Sequence, residues 1–115
     1  MRPIPRRLLP DSMTARPALA GPGHAGGEVG EPVEVGHVRF ARASALRLNA
    51  YQLADESKGV VFVDAASSEG AVELPVGSML TVRQASGGTF EVCVTACRAY
   101  EGAGGRVHHW ELEVS

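Results

Sequence analysis

Over residues 106–114 the chain alternates with a period of two: His108, Trp110, Leu112 and Val114 fall on one face, His109, Glu111 and Glu113 on the other. An extended strand places successive side chains on opposite faces, whereas a helix would scatter these apolar positions around its axis. Similar short runs recur. Gly59-Val60-Val61-Phe62-Val63-Asp64 is β-branched and aromatic, as a buried strand requires, and residues 65–70 form a turn cluster with Ser67, Ser68 and Gly70. Residues 78–83 alternate again, and a loop at 84–88 returns the chain through residues 89–99 as a hairpin. In that return strand Phe90, Val92, Val94 and Ala96 share the expected core face, opposite Glu91, Cys93, Thr95 and Cys97. Residues 33–40 read as a strand with Val38 and Phe40 inward and His37 and Arg39 outward, and residues 11–17 as a short first strand between two prolines.

Residues 41–57 are ambiguous: Ala45-Leu46-Arg47-Leu48-Asn49 alternates like a strand, while the alanines and the Leu46, Ala50, Leu53 spacing suit a helix. Extended or irregular structure is the favoured reading, a short helix the competitor. Residues 18–32 carry five glycines and two prolines and read as a long flexible loop. The fold class is therefore all-β, a small antiparallel barrel or sandwich with long loops. A length of 115 residues fits one domain: an arm and possible first strand over 1–17, the Gly-rich loop over 18–32, and the barrel body over 33–115.

The N-terminal segment does not fit this pattern. Pro3, Ile4, Pro5, Arg6, Arg7, Leu8 and Leu9 alternate prolines, aliphatics and arginines, which disfavours a regular helix or central strand and leaves apolar surface to be covered. These residues are expected to form a protein-docking arm. Charge divides the same way: residues 1–16 carry four arginines against Asp11, net +3, while the remainder carries seven Lys plus Arg against twelve Asp plus Glu, net −5. An acidic body disfavours tight nucleic-acid binding. Only Leu8 and Leu9 follow the positive start before Pro10, short of the ~7 to 15 apolar residues of an export signal, so use in a cytoplasm is expected, with no membrane partner.

Catalytic and metal signatures are weak. Neighbouring His108 and His109 should point to opposite faces of a strand and could share an ion only through a bulge. Cys93 and Cys97 would stand about 13 Å apart on a regular strand, too far for a disulfide, so both read as reduced, packed thiols. Gly102-Ala103-Gly104-Gly105-Arg106 lacks the Lys-Ser/Thr ending of a phosphate loop and reads as a hairpin turn. Asp64 with Glu69 fits capping or solvation better than acid–base work. No enzyme activity, cofactor, metal or small-molecule ligand is expected.

Pro3-Ile4-Pro5-Arg6-Arg7-Leu8-Leu9-Pro10-Asp11-Ser12, Val38-Arg39-Phe40, Val61-Phe62-Val63-Asp64 and His108-His109-Trp110-Glu111-Leu112-Glu113-Val114, in that order, resemble the tailed-phage minor capsid proteins of the head-completion region. The Gly-rich stretch 21–30 departs from that pattern. What the resemblance implies is a virion protein of the head–tail neck, assembled in the host cytoplasm. It would be a ring-forming connector, stopper or head-closure subunit, with a portal or adaptor ring and tail proteins as partners and packaged DNA passing nearby without specific binding. The rival reading is a small monomeric β-barrel binding module for a peptide or nucleic acid, disfavoured by the acidic body and the few aromatics. A hydrolase or metal enzyme assembled from distant residues is a third.

Overall fold

The computed structural model describes residues 2–19, 28–48, 53 and 56–115. Six strands form a closed antiparallel barrel: β1 (Asp11–Arg16), β2 (Val33–Arg42), β3 (Gly59–Asp64), β4 (Met79–Arg83), β5 (Thr89–Glu101) and β6 (Val107–Val114). Their order around the wall is β1-β2-β3-β6-β5-β4, with β4 returning to β1. Closure leaves no long sheet edge exposed. Met13, Val35, Val61, Leu80, Val92 and Leu112 are among the inward side chains, each at most 1% exposed, so every strand contributes to one core. Trp110 packs at its margin.

Strand positions follow the sequence pattern closely, but three bulges change which side chains face inward. In β2, Asp11 pairs with Val38 and Ser12 with Gly36, so His37 is the extra residue, with φ of 54°. One extra residue reverses the alternation. Val35 and Val38, three apart, therefore both point inward. In β5, Val94 pairs with Val114 and Ala96 with Glu113, which leaves Thr95 as a bulge. That corrects the expected faces: beyond the bulge Cys97 packs against the core opposite Leu112. Burial, reinforced by the nearby Glu73 charge, raises the Cys97 pKa and favours the uncharged thiol; both cysteines are free. The third bulge is His108 itself, because Tyr100 pairs with His109 and Glu101 with Val107.

Residues 43–48 also depart from the favoured extended reading. β2 runs on to Arg42, and Ala43–Leu48 is a short helix, α1, packed on β2 and β3. The competing reading holds here, since good helix formers continue once the chain leaves the sheet. The remainder of that ambiguous stretch lies mostly outside the described residues. The ends of the Gly-rich segment are paired rather than loose: Ala18 bridges Val29, Leu19 N–H donates to Glu28 O, and Gly30 N–H donates to Pro17 O, extending the β1–β2 hairpin. Residues 20–27 lie outside the described residues.

Candidate functional site

Asp64 ends β3 and is fully buried. A buried carboxylate needs donors, and Asp64 has three from the backbone: Ala66 N–H at 2.9 Å and Ser67 N–H at 2.8 Å on Oδ2, and Ile4 N–H at 3.0 Å on Oδ1. Burial pushes its pKa up, but these hydrogen bonds and the nearby His108 outweigh that and hold it below the ordinary 3.8. The expected capping role is present, and the same side chain also grips the N-terminal segment. Solvation is not its state.

Residues 65–70 are fixed against the β2 bulge. Ser68 Oγ accepts from Asp64 N–H at 2.9 Å and donates to His37 O, while Gly36 and Glu69 exchange backbone hydrogen bonds at 3.0 Å each. Gly70 closes the turn with φ of 72°, where a Cβ would stand 2.4 Å from Glu34 O. Only glycine fits that approach.

Across this platform lies the arm. Pro5 is extended, with φ −59° and ψ 138°, and Arg6–Leu8 makes one 3-10 turn closed by Leu8 N–H to Pro5 O and Leu9 N–H to Arg6 O, each 2.9 Å. Arg6 Nε donates to Ser67 O at 3.1 Å, and its guanidinium stands 3.5 Å from Glu69 Oε1. His37 Nδ1 lies 3.3 Å from the same carboxylate without an aligned hydrogen bond. Leu9 is 1% exposed and Ile4 half-buried, whereas Pro3, Pro5, Arg6 and Arg7 are exposed and Leu8 is 49% exposed. The barrel that follows the arm therefore covers part of its apolar surface.

The His108 bulge adds a further hold, which strand alternation alone would not reveal. His108 Nε2 is 2.6 Å from Arg2 O, its Nδ1 is 2.8 Å from His109 Nδ1, and His109 Nε2 is 3.1 Å from Glu111 Oε2. A carbonyl only accepts, so His108 Nε2 carries a proton and donates to Arg2 O, and one proton lies between the two Nδ1 atoms. Tyr100 stacks on His109 at 4.8 Å between ring centroids and fixes its plane. The two imidazoles thus converge, contrary to the alternating placement, because the bulge turns one ring toward the other. Among the described residues no three His, Cys, Asp or Glu side chains are grouped to hold a metal ion.

Arm and platform flank a cavity of about 350 Å³ lined by Pro3, Asp64, Arg106 and His108. Asp64 and His108 beside it are occupied in positioning backbone, an arrangement suited to holding a polypeptide segment. A closed six-stranded barrel is a scaffold that carries many different functions, so the fold alone assigns none.

Over residues 5–114 the chain matches the family model for minor capsid proteins, and it belongs to that family. It is a structural protein of the phage virion. No curated protein and no solved structure matches it.

Proposed function

We propose that this minor capsid protein is a ring-forming subunit of the phage neck, a connector or stopper that closes the filled head and presents a surface to the tail. The observation that carries the reading is the arm: Pro3, Ile4, Pro5, Arg6, Arg7, Leu8 and Leu9 form a basic strap seated on an acidic platform, with Arg7 and Leu8 turned outward. A rigid closed barrel supplies a wedge for a ring, and exposed apolar and basic groups beside a constrained backbone suit contact with another protein. The portal or adaptor ring above and the tail proteins below are the partners in this reading. An acidic body leaves passing DNA unbound.

Removal of residues 2–8 tests it. Leu9 is kept because its side chain is buried in the barrel, so loss of Leu9 would confuse folding with docking. The truncated chain should give a native-like circular dichroism spectrum and fail to join purified heads to tails. Normal joining would refute the role of the arm.

A further inference from the structure

We infer that, within a ring, the arm of each subunit leaves its own platform and seats on the Asp64–Glu69 platform of the next copy, so that the contacts seen within one chain become the bonds between chains. This rests on the ring reading above and specifies its interface.

The arm has a fixed pivot and a detachable end. Leu9 is buried, and Asp11 behind it is held by Phe40 N–H at 2.8 Å on Oδ2 and by Ala85 N–H at 2.9 Å on Oδ1. Residues 2–8 are attached differently: the described polar holds are Arg2 O on His108, Ile4 N–H on Asp64, and Arg6 on Ser67 and Glu69. Most involve exposed groups, and exposed ion pairs are individually weak. Such a segment can detach while the barrel stays closed. Extended, seven residues span at most about 25 Å, enough to reach a copy standing alongside.

Every hold on the arm is present on every copy, so exchange preserves the contacts and changes only which chain supplies them. In a lone chain its own arm is favoured by proximity; subunits already side by side remove that advantage. Charge suits the seat on either copy, because the arm brings three arginines to a body of net −5. Arm and platform are different surfaces, so the contact is head-to-tail, and a head-to-tail contact with the right rotation closes into a ring.

The sequence offers a clean test, since Lys58 is the only lysine. Arg6→Lys places an amine beside Glu69, and a carbodiimide then joins the two as an amide. Unlabelled and ¹⁵N-labelled Arg6→Lys chains are mixed in equal parts, assembled on filled heads lacking the protein, cross-linked and digested. Exchange predicts that half of the residue 6–residue 69 linked peptides carry one light and one heavy partner, while the unassembled protein gives none. Assembled rings with only light–light and heavy–heavy links, or with no such link, overturn the exchange and leave the ring reading standing. Native mass measurement showing that no ring forms on the heads overturns both.

Discussion

Asp64→Asn isolates the link between barrel and arm with almost no change of shape. The carboxylate accepts from three backbone N–H groups, whereas an amide has one oxygen and presents a donor in place of the other. With the amide oxygen toward Ala66 and Ser67, its NH2 meets Ile4 N–H and that bond is lost. A hydrogen bond to a charged group is worth about 1.5–3 kcal/mol, so loss of the Ile4 bond costs about 2 kcal/mol. The two turn bonds fall from charged to neutral strength, at a further cost of about 1 kcal/mol. The sum, about 3 kcal/mol, is a sizeable part of the roughly 5–15 kcal/mol that stabilises a domain. It corresponds to a fall in Tm of about 10 °C for a chain of this length. Thermal unfolding followed by near-ultraviolet circular dichroism measures the total, and a double-mutant cycle divides it. In a chain lacking residues 2–8, Asp64→Asn should cost only the turn contribution of about 1 kcal/mol. Equal costs with and without the arm would refute the assignment of Asp64 as an arm anchor.

Three further outcomes follow from the same site. Leu9→Ala should cost about 2–5 kcal/mol in denaturant unfolding, while Leu8→Ala, at a half-exposed position, stays within about 0.5 kcal/mol of wild type; similar costs would place Leu9 outside the barrel. Because the folded pKa of Asp64 lies below 3.8, its stabilisation is present above that pH and lost as pH falls through the lower folded value. The Tm gap between wild type and Asp64→Asn should accordingly narrow as the pH is lowered below 3.8; a gap that stays constant throughout that fall would contradict the linkage. His108→Ala releases Arg2 O and should speed exchange of the Ile4 amide about fivefold, equivalent to about 1 kcal/mol, with global unfolding little changed; unchanged exchange would show that Arg2 contributes nothing to arm docking.

The strands were legible because alternation survives in single segments: Gly59–Asp64 is found where its β-branched run places it, and β6 begins within one residue of the reading. The bulges were harder to see, since an extra residue leaves composition unchanged and only reverses phase. One left a trace. Val35 and Val38 stand three apart, a spacing that regular alternation cannot bury on one face, and His37 between them resolves it. Thr95 and His108 left none, so Cys97 and His108 were assigned to the wrong faces, while His109 lies beside Glu111 as the alternation placed it. The prolines marked residues 3–10 as lacking a regular strand or α-helix, which the structure shows, but their seat on the barrel was not legible. The seat depends on Asp64 being buried and on Ile4 N–H, 60 residues away in the chain, meeting it, and neither is encoded in a local pattern.

The pivot at Asp11 determines how the barrel responds to tension. A pull on residues 2–8 enters β1 at its first residue, and β1 is paired along Ser12 to Ala15 with β2 on one side and β4 on the other. Load directed along that strand puts both ladders in shear, so many hydrogen bonds resist together. The arm itself is held at a few separate points that can be peeled in succession. Under strain the strap yields first and the wall keeps its shape, as a mechanical fuse protects the circuit behind it.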